Sequence, residues 1–197
     1  MEEDAAVRFE VNLLRESLPD DAGISRLIRW GRRFDELGLA PATTGNLSFR
    51  TDGGFVISGT GVSLGAIARE DLVEVLKAEV RGDRILVTAR GRVSPSRESL
   101  LHLRIYDLRP DVRAVFHVHD TLVVDLAVAM GLPTTRKERP GGSQELANEV
   151  NEFLRQHEWL NYFVLRNHGV VALGETMDEA GKLVESAHDL ARKRRPH

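Results

Sequence analysis

Three histidines sit in two short motifs, His117 and His119 in "AVFHVHDT" and His168 in "VLRNHGVVALG". In an extended strand alternate side chains share a face, so His117 and His119 project together from neighbouring rungs. His168 lies beside Gly169 at a predicted bend, where the backbone can approach closely and turn a third imidazole inward. Three imidazoles with a position left for substrate form the ligand set of a catalytic zinc. Two histidines at i and i+2 alone also describe a half-exposed strand; the third shifts the reading to metal. Glu98 in "SPSRESLLH" is a candidate acid/base. A carboxylate near a bound cation can accept a proton from carbon while the metal withdraws the resulting charge. An acid in the first turn of a helix, favoured by the helix dipole, is an equally simple account of Glu98. His102, His157 and His188 fall on predicted helices and His197 at the terminus; His102 reads as a helix-face residue or hydrogen-bonding partner.

Two further segments, "TTGNLSF" and "SGTGVSLG", place glycines and hydroxyls in tight turns, and Ser96 precedes a predicted helix. Together these groups can cradle an anion with backbone N–H groups, hydroxyls and a helix end, or they can simply turn the chain. Neither matches a phosphate-binding P-loop or a dinucleotide fingerprint, because the strand, glycine-rich turn and helix do not follow one another.

The elements that must position these residues follow from periodicity. The first 40 residues read as helical, with Ile24, Leu27, Ile28 and Phe34 at helical spacing and Gly38 at the stop. "NLSFR" and "FVISG" flank the turn "TDGG", and "LVEVLKAEV" and "RILVTA" flank "RGD", predicting two hairpins. Ser96 to Leu108 reads as a helix closed by Pro110, and "RAVFHVH" as a strand with Val115, His117 and His119 on one face. A helix over "TLVVDLAVAM", a loop "GLPTTRKERPGG", the helix "SQELANEVNEFLRQHE" and the hairpin "YFVLRNHGVVALG" come next. Thr176 and Glu179 form a capping box for a last helix that runs into the basic tail "ARKRRP". Strands cluster mid-chain with helices around them, which predicts an α/β domain rather than a doubly wound or barrel fold.

The chain has 197 residues, a length that favours one domain with one substantial core. A formal charge of -3 argues against nucleic acid or an anionic membrane as main partner. With no cysteine, a metal site must use imidazole and carboxylate. The N-terminus lacks a secretory pattern, and "LVVDLAVAM" is too short to span a bilayer, so a cytoplasmic enzyme is expected.

In order along the chain, "TTGNLSFR", "ISGTGVSLG", "PSRESLLH", "VFHVH" and "NHG" resemble the motifs of the class II aldolase/adducin-like superfamily. The likeness runs from about Ile24 to Leu183. It implies a single three-layer α/β domain over residues 1–197, with a central, mostly antiparallel sheet flanked by helices. It implies that His117, His119 and His168 hold a divalent metal, usually Zn2+, with Mn2+, Co2+ or Fe2+ as alternatives, and that Glu98 is the catalytic acid/base. Gly45, Asn46, Thr60, Gly61 and Ser96 match segments that bind substrate phosphate. Arg97 stands where fuculose-phosphate aldolases carry a second serine, and its planar fork suits phosphate or carboxylate. The segment that supplies those aldolases with a proton-donating tyrosine has none here, so the resemblance leaves the donor and the sugar unassigned.

The expected activity is a zinc-dependent aldolase cleaving a small phosphorylated ketose to an enediolate and an aldehyde, in a homo-oligomer with a tetramer favoured. A sugar-acid phosphate decarboxylase or dehydratase is the alternative within the superfamily. A non-catalytic adducin-like module would require lost ligands, and a zinc hydrolase would require a larger barrel.

Overall fold

A computed structural model describes residues 8–18 and 20–194. Eight strands form one sheet in the order β1-β5-β4-β3-β2-β6-β8-β7, where β1 is Arg8–Leu14, β2 Asn46–Arg50, β3 Phe55–Ser58, β4 Leu72–Arg81, β5 Arg84–Gly91, β6 Ala114–Val118, β7 Tyr162–Leu165 and β8 Gly169–Gly174. Every neighbouring pair is antiparallel except β1 with β5. Helices α1 (Ala22–Glu36) and α5 (Met177–Arg194) cover one face, with the short α3 (Thr121–Leu126). Helices α2 (Ser99–Leu108) and α4 (Gln144–Gln156) cover the other. The three layers agree with the expected architecture.

Each layer follows from side-chain period. In α1 the buried residues Ile24, Leu27, Gly31 and Phe34 recur at helical spacing, and Asp21 starts the helix by accepting the N–H of Gly23. In β6 alternation splits the strand: Phe116 and Val118 join the core under α1 and α5, whereas Val115 joins the core under α2 and α4. Both predicted hairpins form, as β2–β3 and β4–β5, the latter with a bulge between Val75 and Lys77.

The reading of the first 40 residues as helical is corrected at Arg8–Leu14, which pair with Arg84–Arg90 as a parallel edge strand. Phe9, Val11 and Leu13 pack on the core while the residues between them are exposed, the period-2 pattern of a half-covered strand. Residues 1–7, Pro19 and 195–197 lie outside the described residues, and with them His197, the end of the basic tail and the outer limits of the 1–197 domain. The predicted helix from Ser96 begins at Ser99, and that over "TLVVDLAVAM" covers only Thr121–Leu126. Glu179 reaches the N–H of Glu175 rather than that of Thr176, so the capping box is displaced by one residue. No described helix is long and apolar enough to cross a membrane.

Candidate metal centre

The three histidines converge. Their ring centroids lie 4.9 Å (His117–His119), 4.9 Å (His117–His168) and 4.8 Å (His119–His168) apart. One potential ligand atom from each lies within 4.8 Å of the others. His117 sits on the central strand β6 and is fully buried; His119 follows the end of that strand, where its N–H is held by the Leu39 carbonyl. His168 closes the β7–β8 turn, with its N–H on the Leu165 carbonyl and Asn167 in the left-handed region at φ 54°. Asparagine tolerates that conformation well. Gly169 needs to be small for another reason: a β-carbon there would lie 2.5 Å from the Val118 carbonyl oxygen and 2.8 Å from His117 Cε1.

The donor set fits a divalent metal. His117 Nδ1 faces the Val170 carbonyl at 3.0 Å, so that nitrogen carries the proton and Nε2 presents its lone pair inward. His117 Nε2 and His119 Nε2 stand 3.1 Å apart. One imidazole can donate to the other across that gap, and the spacing is also close to the roughly 3.3 Å between two nitrogens on a tetrahedral zinc. Burial, followed by the neighbouring imidazoles, lowers the pKa of His119 to about 4 and also lowers that of His168. Both therefore stay neutral and able to ligate.

Glu98 precedes α2 but makes no side-chain cap; its carboxylate turns toward the histidines. Oε2 accepts from Asn46 Nδ2 at 2.7 Å and lies 3.4 Å from His117 Nε2, while Oε1 lies 3.7 Å from His168 Nε2. Burial opposes its ionisation, whereas positive charge on His117 and His168 when these are protonated, and the Asn46 amide, lower its pKa. Oε1 is buried without a hydrogen-bond partner. Gly141 closes this side: a β-carbon there would lie 3.3 Å from Glu98 Oε1 and 3.3 Å from His168 Cε1. Only a glycine lets the chain pack this closely against the acid and the cluster, a constraint that sequence reading missed.

The residues expected to hold an anion divide into two groups. Gly45 (φ 76°) and Asn46 lie under the metal strand, with Asn46 opposite His117 in the β2–β6 register. Both ends of the Asn46 amide are committed inside the protein, to Glu98 and to His102 Nε2 at 2.6 Å. Thr60, Ser94 and Arg97 line an open cleft of about 570 Å³ together with Arg8. Gly61 (φ 70°) follows with open space beside it. Ser96 is buried, and its Oγ accepts the Glu98 N–H. Neither tyrosine is directed at the cluster: the Tyr106 hydroxyl bonds Ser48, and Tyr162 packs in the opposite layer.

Residues 25–194 match the family described as "Class II Aldolase and Adducin N-terminal domain". The chain belongs to that family. It is 28% identical over 186 residues to a 3-oxo-tetronate 4-phosphate decarboxylase of Haemophilus influenzae, covering 84% of this chain and 83% of the relative. It is 30% identical over 190 residues to a methylthioribulose-1-phosphate dehydratase of Methylococcus capsulatus, covering 82% and 87%. The crystal structure of the L-fuculose-1-phosphate aldolase from Thermus thermophilus is similar at a TM-score of 0.67 and 27% identity, covering 86% of this chain and 91% of that one. One class II aldolase scaffold thus carries aldol cleavage, decarboxylation and dehydration among the relatives of this chain.

Proposed function

We propose that this protein is a divalent-metal-dependent lyase acting on a small phosphorylated ketose, with retro-aldol cleavage as its reaction. The observation that carries the proposal is the convergence of His117, His119 and His168 on one point with the ionised carboxylate of Glu98 beside it. The three histidines would hold Zn2+ or a similar ion, which supplies Lewis acidity toward the oxygens of a bound hydroxy-ketone. Glu98 takes the hydroxyl proton as the carbon–carbon bond breaks and returns a proton to carbon afterwards. The Asn46 N–H on Oε2 favours the ionised, accepting form of the carboxylate. Thr60, Gly61, Ser96 and Arg97, with the Gly45–Asn46 turn beneath, form the anchoring side for the phosphate. The expected assembly is a homotetramer, which light scattering checks.

Sugar-acid phosphate decarboxylation is the second reading, favoured by Arg97 in the cleft beside Thr60, where its guanidinium can pair with a carboxylate. Dehydration shares the same proton abstraction. Metal analysis followed by product analysis over ketose phosphates and keto-acid phosphates separates the three: an aldehyde, carbon dioxide or a dehydrated ketone. Glu98→Gln should keep the metal and lose turnover, whereas His117→Ala should lose both. A folded wild-type protein that takes up no divalent metal overturns the proposal.

A further inference from the structure

Glu98 is the end of a buried polar chain that the reaction above does not use. Tyr106 and Ser48 hydroxyls are 2.7 Å apart; Ser48 Oγ is 2.7 Å from His102 Nδ1; His102 Nε2 is 2.6 Å from Asn46 Oδ1; and Asn46 Nδ2 donates to Glu98 Oε2 at 2.7 Å. All five residues are buried. The chain is built from two matched periods. Glu98, His102 and Tyr106 recur every four residues at the start and along one face of α2, a repeat of about 6 Å. Asn46 and Ser48 recur every two residues on one face of β2, a repeat of about 6.8 Å. Helix and strand therefore interleave their polar groups rung by rung.

The directions of the hydrogen bonds follow from the Asn46 amide. Asn46 Nδ2 donates to Glu98 Oε2, so its amide oxygen, an acceptor only, faces His102. His102 must then carry its proton on Nε2. Burial lowers the pKa of His102 to about 3, so the ring is neutral and Nδ1 is an acceptor. Ser48 donates to Nδ1, and Tyr106 donates to Ser48. Each donor in the chain points toward Glu98.

We propose that His102, locked as the Nε2–H tautomer, is a positioning residue that acts through Asn46 to hold Glu98 Oε2 and leave Oε1 as the oxygen that exchanges protons with substrate. This assignment rests on Glu98 being the acid/base of the reaction. Oε1 has no hydrogen-bond partner and faces Gly141 and His168, whereas Oε2 is pinned by Asn46.

Two measurements test it on the metal-loaded protein. In histidine-labelled wild type, nitrogen-15 NMR should show one neutral imidazole as Nε2–H that stays neutral from pH 8 to about pH 5, lost as a signal in His102→Phe; an Nδ1–H or charged ring overturns the proposal. Deuterium exchange at carbon in dihydroxyacetone phosphate reports Glu98 directly. His102→Phe should slow maximal exchange about 10- to 100-fold, with metal content and half-saturating concentration within about 2-fold of wild type. His102→Gln, which can present an N–H near the same place, should recover most of the rate. Unchanged exchange in His102→Phe, or equal loss in both variants, overturns the positioning role. If His102→Phe does not fold, the wild-type tautomer still decides. If Glu98→Gln exchanges at the wild-type rate, the acid/base role of Glu98 fails instead, a result that leaves the tautomer measurement intact.

Discussion

Gly45 is the position where backbone conformation and the histidine-bearing strand β6 meet, and Gly45→Ala tests how tightly they are joined. The residue adopts φ 76°, and a β-carbon there would lie 2.8 Å from the carbonyl oxygen of His117 and 3.4 Å from Val118 Cα. The left-handed conformation alone costs a non-glycine residue about 1 kcal/mol. The overlap is with backbone of a central strand, which cannot swing aside as a side chain would, and forced shifts in packed interiors cost about 1–3 kcal/mol. The expected total is about 2–4 kcal/mol, or roughly a 5–15 °C fall in Tm for a chain of this size. Gly38 is the control: its φ is 73°, yet nothing lies within 4 Å of an added β-carbon. Gly38→Ala should cost only the conformational part, about 1 kcal/mol. The strand that must move in Gly45→Ala carries His117 itself, so zinc affinity, measured by chelator competition, should weaken in Gly45→Ala and stay constant in Gly38→Ala. Equal Tm losses in the two variants, with zinc affinity unchanged in both, would refute the reasoning.

Acid should weaken the metal-free protein before any carboxylate titrates. Burial lowers the pKa of His102 to about 3, so below pH 6.5 the unfolded chain binds a proton that the folded one refuses. The His102 contribution is full above pH 6.5 and falls with pH by up to about 1.4 kcal/mol per unit; between pH 7 and pH 5 it amounts to about 2 kcal/mol, and His119, lowered to about 4, adds a similar loss, so His102→Phe should remove no more than about half of the change seen by urea denaturation. Gly141→Val adds bulk against Glu98 and His168 and should abolish turnover while Tm moves little, which paired activity and melting measurements check. Asp120 accepts the Val123 N–H to start α3 and pairs with the buried His188 Nδ1 at 2.8 Å. Asp120→Ala leaves that ring unpaired and should lose about 3 kcal/mol in denaturant titration, with Asp120→Asn losing about half.

Local patterns made much of the molecule legible from its sequence, and the failures share a cause. The α1 stripe, both hairpins and the shared face of Val115 and His117 depend on neighbours a few residues away, which periodicity reports directly. Arg8–Leu14 alternates just as clearly, but it joins the sheet edge only through parallel pairing with Arg84–Arg90, far along the chain. Charged Arg8 and Glu10 on its open face obscured the pattern. Glu98 was ambiguous for the same reason. Its place before a helix suits a dipole interaction, and only Asn46, 52 residues earlier, turns the carboxylate toward the histidines.

The same distinction explains why the chemistry is easier to read than the substrate. A metal ligand must be one of a few residue types, and His117, His119 and His168 can each be recognised singly before their meeting is known. Positioning residues carry no such signature. Ser48, His102 and Tyr106 are ordinary residues whose meaning lies in two interleaved periods, four along a helix and two along a strand. That interleaving was present in the sequence as Asn46-x-Ser48 and Glu98-x3-His102-x3-Tyr106, but it becomes a constraint only once α2 is known to lie against β2. On the proposed reading substrate choice is a further step removed, because it would depend on the open cleft where Arg97 and Arg8 meet Thr60 from three separate segments. An enzyme can therefore keep its histidines and carboxylate, change a few cleft residues and move between aldol cleavage, decarboxylation and dehydration. The three reactions found among the relatives are what such a division between a fixed proton-transfer frame and a variable anion-binding rim would produce.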